Sequence, residues 1–103
     1  MFSKKLIYVK VYANHCSNAL LFQSEDTSIQ PRDIVIVSLH GKEVPAIVVQ
    51  VSRKIKNKNI NLEFILRKAG FFERNKLSTD VHNRVKNEKL AWIDEIEYWN
   101  AMG

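Results

Sequence analysis

The sequence predicts a mainly β protein of the α+β class, in which a small, partly open, five-stranded barrel is followed by a C-terminal helical element. Three observations predict it. Two runs of β-branched residues flank a short polar turn at Gly41, which is typical of a hairpin. Other segments of the first two-thirds alternate apolar and polar residues, as half-buried strands do. After Gly70 the apolar residues recur with the period of a helix.

The length and composition predict a single domain. A chain of 103 residues buries about two-thirds of the surface that its unfolded form exposes, which suffices for a core without disulfides or metals. We therefore predict one domain over residues 1–103, with the barrel in 1–69 and the helical extension in 70–103. Cys16 has no second cysteine to pair with and fits a reducing cytoplasm. The apolar run near the N-terminus is too short for a signal peptide or a membrane span.

The first three strands are predicted from alternation and from turn residues. Residues 6–12 alternate apolar and polar side chains, and the turn-forming run 14–18 separates them from a second strand over 19–23. A polar loop then leads to Pro31, which presets φ for a β-turn and delivers the chain to a third strand at Asp33. The first third of the chain is therefore predicted to be β-structure.

The fourth and fifth strands complete the predicted barrel. Pro45 lies near the start of the fourth strand and cannot donate a ladder hydrogen bond, so we expect this strand to lie at a sheet edge or to bulge there. Residues 60–66 alternate again and predict the fifth strand. Five short strands in sequence are typical of an SH3-like or OB-like barrel that is partly open.

Two helical stripes follow Gly70. Leu77, Val81 and Val85 lie at i, i+4 and i+8 and predict a first helix. A second set at i, i+1, i+4 and i+7 predicts another helix, whose apolar face serves as core or as a partner-binding surface. This second set consists of Trp92, Ile93, Ile96 and Trp99.

No residue pattern points to catalysis or to a metal. Cys16 lies beside His15, but a nucleophilic pair also needs convergent side chains and an orienting third group, which adjacency in a polar turn does not supply. The three histidines and the cysteine lack the close spacing of zinc ligands. We therefore predict a non-enzymatic protein with no metal and no cofactor.

The basic residues are concentrated in one part of the chain. A net charge of +5 suits an anionic partner such as nucleic acid, although AT-rich coding, which favours lysine codons, is an alternative source of the basicity. Four basic residues lie on a predicted loop between the fourth and fifth strands, and one lies at the Gly41 turn. From such loops side chains reach phosphates without desolvating a core. The predicted nucleic-acid-binding residues are Lys42, Arg53, Lys54, Lys56 and Lys58.

Five segments of the predicted barrel follow a pattern found in a known family: an apolar strand, a second strand, a turn with glycine and Val-rich strands. They are Tyr8-Val9-Lys10-Val11, Ala19-Leu20-Leu21-Phe22, Pro31-Arg32-Asp33-Ile34-Val35-Ile36-Val37, Leu39-His40-Gly41 and Ala46-Ile47-Val48-Val49-Gln50-Val51. Over about residues 8–52 this pattern resembles the N-terminal, 3′-end-binding DNA-binding domain of the primosomal replication-restart helicases. The resemblance implies a small barrel that binds single-stranded or forked DNA.

The chain departs from that family pattern at two positions of the family's binding pocket. It has Leu21-Phe22-Gln23 where the family has an acidic residue in the second strand, and Glu63 where the family has a lysine in its last strand. The 103 residues also contain no G-x-x-x-x-G-K-[ST] phosphate loop. The resemblance therefore supports the barrel pattern more than the family's pocket.

These observations lead us to expect a cytoplasmic accessory module that associates with nucleic acid, DNA rather than RNA, through the basic loop. The alternative is a protein-protein interaction domain, of phage or mobile-element origin, whose Trp-bearing helix docks a protein partner or a second copy in a homodimer. A continuous cationic face favours nucleic acid, and a contiguous exposed apolar patch favours a protein partner. In neither case do we expect a membrane protein.

Overall fold

β-strands dominate the fold, as the sequence predicts. A computed structural model describes residues 5–56 and 61–96. Within these residues the strands are β1 (Ile7–Ala13), β2 (Leu20–Ser24), β3 (Ile34–Leu39), β4 (Lys42–Ser52), β5 (Arg67–Lys68) and β6 (Ala91–Trp92). The helices are α1 (Phe71–Arg74) and α2 (Thr79–Lys86).

All six strands belong to one sheet that is not closed. Its order is β2-β1-β4-β3-β5, with antiparallel neighbours, and β6 pairs in parallel with β4. Over its described residues, 61–66, the predicted fifth strand is instead a segment that bridges β2 and β3. Gln23 of β2 exchanges backbone hydrogen bonds with Glu63 and Ile65, and the next residue, Leu66, donates to Ile36 of β3. Strand β5 begins only after this segment.

The hairpin predicted around Gly41 is confirmed as the β3–β4 pair. His40 and Gly41 form its two-residue loop, with Leu39 opposite Lys42. Their φ angles of +51° and +78° are the left-handed values that a type I′ turn needs at both central positions. The loop geometry matches the twist of the flanking strands and fixes the register of β3 against β4.

Strand β4 is central in the sheet but is locally an edge at Pro45. Pro45 lies opposite Ile36 of β3, whereas the ladder to β1 begins only at Ala46. The missing proline N–H is tolerated there because, among residues 5–56 and 61–96, no strand pairs with Pro45 on the β1 side. The bulge lies further along β4, at Val49. The neighbouring residues Val48 and Gln50 pair with consecutive residues of β1, and Val49 between them has no partner there.

Two apolar clusters use the two faces of this sheet. The first is formed mainly by alternate residues of β1, β3 and β4, with Phe22, Ile29 and Ile65 added from other segments. The second places Ile47 and Val49 of β4 against the α2 region, where the contacting residues are Leu77, Val81 and Val85. The first predicted helical stripe is therefore confirmed as a packing face. The Oγ of Ser78 accepts the Val81 N–H and caps the start of α2.

The second predicted helical stripe is wrong over the residues that the structure describes. Trp92 belongs to β6, and Ile96 forms an isolated parallel bridge with Ile55. A free edge of β4 offers backbone partners here, and Ile93 N donates to Val51 O over 2.9 Å. An extended backbone can form hydrogen bonds with the edge of β4. A helix cannot, because its N–H and C=O groups bond to each other within the helix. Trp99 lies outside the described residues.

Candidate nucleic-acid interface

One edge of β4 positions the candidate site. Strand β3 pairs with β4 only as far as Ile47. Beyond that point the same edge takes up the preceding turn, in which Arg32 N donates to Val48 O and Val48 N donates to Asp33 O, both over 2.8 Å. Strand β6 then pairs with the next part of β4. The turn that contains Arg32 and the strand that contains Trp92 therefore lie next to each other.

Trp92 is held from two directions and remains partly open to solvent. The residue is 39% exposed. The indole Nε1 donates a hydrogen bond of 2.8 Å to Gln30 Oε1, and the guanidinium carbon of Arg53 lies 5.8 Å from the ring centroid. A cation–π contact at an exposed site contributes about 0.5–1 kcal/mol. We call Gln30, Arg53, Lys54 and Trp92 the Trp92 surface.

Three of the predicted nucleic-acid-binding residues follow β4, and one of them, Arg53, contacts this ring. Arg53, Lys54 and Lys56 are exposed and directly follow the end of β4. They are not on the tip of a hairpin, because Ile96 N donates to Lys54 O and Lys56 N donates to Ile96 O, each over 3.0 Å. These bonds fix the backbone of the basic segment against the chain that follows Trp92. Lys58 lies outside the described residues.

Lys42 lies far from Arg53 and Lys54, although the sequence groups all three as nucleic-acid-binding residues. It is the first residue of β4, and Arg53 follows the last. A strand of 11 residues spans roughly 35 Å when straight. The structure therefore separates Lys42 from the Trp92 surface by the full length of β4.

A groove of about 440 Å³ lies between α2 and the turn that contains Arg32. Its apolar lining comes from Ile47, Val85 and Leu90, and Leu90 lies two residues before Trp92. Two short segments, 30–32 and 90–92, therefore contribute to both the groove and the Trp92 surface. Its basic side chains are those of Arg32, His82 and Lys86.

The acidic residue of the groove is engaged by a tyrosine. Tyr12 Oη donates a hydrogen bond of 2.7 Å to Glu88 Oε1. Burial, this hydrogen bond and the negative charge of Glu88 raise the pKa of Tyr12 to about 12. The Glu88 carboxylate is thereby directed towards Tyr12, and the other charged side chains that line the groove are basic.

Sequence reasoning missed four residues of this region, Gln30, Arg32, His82 and Lys86. The i, i+4 spacing of His82 and Lys86 places both on one flank of α2, and this signal is present in the sequence. Arg32 and Gln30 reach the site through the pairing of their turn with β4, which no local pattern encodes.

The rest of the described chain offers no metal site. Residues 5–56 and 61–96 contain no group of three or more His, Cys, Asp or Glu side chains that could hold an ion.

The carbonyl oxygen of Cys16 accepts a 2.6 Å hydrogen bond from Arg84 Nη1, which ties the β1–β2 connection to α2. Across the same residues, no helix has the length and apolar character needed to cross a membrane.

Comparison with known proteins gives no family for this chain. No family model, no curated protein and no solved structure matches it. The Trp92 surface and the groove beside it are therefore the features of the molecule from which a function can be proposed.

Proposed function

We propose that this protein is a non-enzymatic module that binds single-stranded nucleic acid at the Trp92 surface. The observation that carries the proposal is the partly exposed Trp92 ring, fixed by Gln30 and accompanied by Arg53. Proteins that bind single strands combine a basic track for the backbone with aromatic rings on which bases stack. Here Trp92 pairs with the end of β4, and the basic residues begin directly after that strand with Arg53, which contacts the ring.

Each component has a distinct role in the proposal. A base stacks on the open part of the Trp92 ring, and Arg53, Lys54 and Lys56 supply positive charge to the phosphates on either side. Stacking and phosphate contacts read no base edges, so we expect weak sequence preference. The hydrogen bond that the indole N–H donates to Gln30 keeps the ring in place before the strand arrives, which lowers the entropy cost of binding.

The partial resemblance of residues 8–52 to the replication-restart domain supports DNA over RNA as the partner. It also supports an SH3-like or OB-like relationship for the sheet. Residues 63–66 hydrogen-bond to β2 at one edge and to β3 at the other, as expected for a barrel that is partly open. We propose this relationship together with the function.

The test is fluorescence anisotropy of labelled oligo(dT), oligo(U) and duplex DNA, titrated with protein over a range of salt concentrations. Trp92→Ala should weaken binding to oligo(dT) by about 1–3 kcal/mol. Arg53→Gln with Lys54→Gln should lower the log–log salt slope by about 0.7 per lost contact. The matched control, Lys42→Gln with Arg74→Gln, removes the same charge from outside the Trp92 surface and should have a smaller effect.

Two results would overturn the proposal. One is the absence of measurable binding to any of the three nucleic acids by the unmodified protein at low salt. The other is equal weakening by the Arg53/Lys54 pair and by the control pair with no effect of Trp92→Ala, because net charge alone would then explain the binding.

A second candidate function, protein-protein contact, is favoured by a different surface. Phe71 and Phe72 of α1 are 78% and 80% exposed, and their rings meet edge to face at a centroid distance of 5.5 Å. Large exposed aromatic side chains are unusual on a monomer unless they serve a contact. This surface takes the place of the Trp-bearing helix that the sequence predicted for a protein partner or a homodimer.

Self-association through α1 is tested by sedimentation equilibrium across a range of protein concentrations. A mass above the monomer that returns to the monomer value in Phe71→Ser with Phe72→Ser would support the candidate. A monomeric mass at every concentration would remove the homodimer and leave only a heterologous partner.

A further inference from the structure

Arg32 has a backbone conformation that residues other than glycine and asparagine rarely adopt. Its φ is +79°. Asp33 N donates a 3.1 Å hydrogen bond to Gln30 O, which closes a turn with Arg32 at its third position. A positive φ at that position is typical of a type II turn, where glycine is preferred. Two hydrogen bonds to Val48 hold the turn, so its geometry does not depend on an arginine side chain.

The Arg32 side chain is also unused by the part of the protein that the structure describes. No residue within 5–56 or 61–96 forms a hydrogen bond or an ion pair with its guanidinium. It lines the groove together with His82 and Lys86, which lie one turn apart on α2. A strained residue whose side chain has no structural partner indicates a functional role for that side chain.

We propose that this groove binds one nucleoside phosphate. The planar guanidinium of Arg32 matches phosphate oxygens in a bidentate arrangement, and Lys86 adds a second positive charge. Beside these groups Ile47, Val85 and Leu90 supply an apolar surface for a sugar or base. The groove volume of about 440 Å³ lies within the range of about 300–1,000 Å³ that is usual for small-molecule sites.

The nucleoside phosphate comes from one of two sources. It is either one nucleotide of the strand on the adjoining Trp92 surface, in which case the inference rests on the proposed function, or a free mononucleotide. The shared chemistry is a phosphate next to an apolar or aromatic group. Binding measurements with a strand and with dTMP distinguish the two sources.

The central variant is Arg32→Asn, because asparagine is tolerated at positive φ and removes the charge. We expect roughly tenfold weaker binding of oligo(dT), a salt slope lower by about 0.7, and a Tm equal to or above that of the unmodified protein. Arg32→Lys should keep the salt slope. Arg74→Asn removes an exposed arginine that does not line the groove, and it should leave both affinity and slope nearly unchanged.

The outcomes separate this inference from the proposed function. If oligo(dT) binds the unmodified protein and Arg32→Asn equally well, the strand is overturned as the source while the proposed function stands, and the dTMP titration then decides the groove. If oligo(dT) does not bind at all, the proposed function is overturned, and a dTMP titration followed by amide NMR decides the groove. Shifts at Val85 and Leu90 that Arg32→Asn abolishes would support a mononucleotide site, and their absence would overturn it.

Two further measurements keep the inference testable. Thymidine and inorganic phosphate serve as probes beside dTMP, and equal affinity for phosphate and dTMP would overturn the apolar half of the site. If Arg32→Asn lowers the Tm, the double variant His82→Gln with Lys86→Gln replaces it, because that variant leaves the Arg32 turn intact. Unchanged strand and dTMP binding in the double variant would overturn the inference.

Discussion

The guanidinium carbon of Arg53 lies 5.8 Å from the centroid of the Trp92 ring, although the two residues come from distant parts of the chain. The contact forms because β6 pairs in parallel with the end of β4, which brings Trp92 opposite Val51. Gln30 reaches the same ring from the turn that occupies the preceding part of that edge. Backbone pairing along one strand edge thus assembles a surface from three segments that are remote in sequence.

The Gln30 hydrogen bond should restrict the Trp92 ring. Gln30→Ala removes the only acceptor that the described residues provide for the indole N–H. We expect faster ring motion in time-resolved fluorescence anisotropy, with a loss of stability of about 1 kcal/mol or less because the indole N–H can turn to water. The measurement uses a Trp99→Phe background, so that Trp92 is the single emitter among the two tryptophans. An unchanged anisotropy decay would show that Arg53 and packing alone hold the ring.

Truncation should be more costly at Ile96 than at Trp92. Ile96 is completely buried and Trp92 is 39% exposed. Ile96→Ala should cost about 2–5 kcal/mol, and Trp92→Ala should cost less than the 3–5 kcal/mol or so of a fully buried tryptophan. Urea unfolding of both variants gives the comparison. A larger loss for Trp92→Ala would contradict the ranking of the two residues by their burial.

Strands β1 to β4 and helix α2 were predictable because local residues determine them. The alternation of β1, the His40–Gly41 loop and the stripe of α2 each reflect a period or a turn requirement that a short window of sequence contains. The segment around Trp92 and Ile96 was not predictable in this way. Its apolar spacing fits a helix, but the unpaired edge of β4 decides its conformation, and an unpaired edge is a tertiary property.

The candidate site was predictable only in part for the same reason. Arg53 and Lys54 were identified from the density of basic residues, and both lie on the Trp92 surface. Arg32 was overlooked because its positive φ and its place beside α2 depend on hydrogen bonds to Val48. Lys42 was grouped with Arg53 and Lys54 because all three lie next to predicted turns. The sequence pattern does not reveal that the 11 residues of β4 separate those turns in space.

Ionisation of Tyr12 should destabilise the protein at high pH. Its pKa is about 12 in the folded protein, against an ordinary value of 10.0. Between these values the folded state holds a proton that the unfolded state has lost, so stability is fully present below pH 10 and falls as the pH rises to about 12. Urea unfolding on both sides of pH 10 should show this loss in the unmodified protein and a smaller loss in Tyr12→Phe.

The partner of Tyr12 provides the complementary test. Glu88→Gln removes the negative charge that contributes to the raised pKa of Tyr12, so the tyrosinate absorbance of that variant should rise at lower pH. Tyr8→Phe is the control, because Tyr8 forms no hydrogen bond with Glu88. Identical alkaline titrations of the unmodified protein and Glu88→Gln would refute the coupling between Tyr12 and Glu88.

The His40–Gly41 loop should require glycine at position 41 because of the positive φ there, and not because a side chain would lack room. The φ of Gly41 is +78°, and a Cβ placed on it would meet no atom within 4 Å. Gly41→Ala should therefore cost about 1–2 kcal/mol through left-handed strain alone, and Gly41→Asn should cost less because asparagine tolerates this region.

Gly70→Ala is the matched control. Gly70 has a φ of −77°, and a Cβ there would lie 3.4 Å from Glu73 Oε1, an ordinary contact. Urea unfolding should place Gly70→Ala close to the unmodified protein. Equal losses for the two alanine variants would mean that strain in the β3–β4 loop is not what selects glycine at position 41.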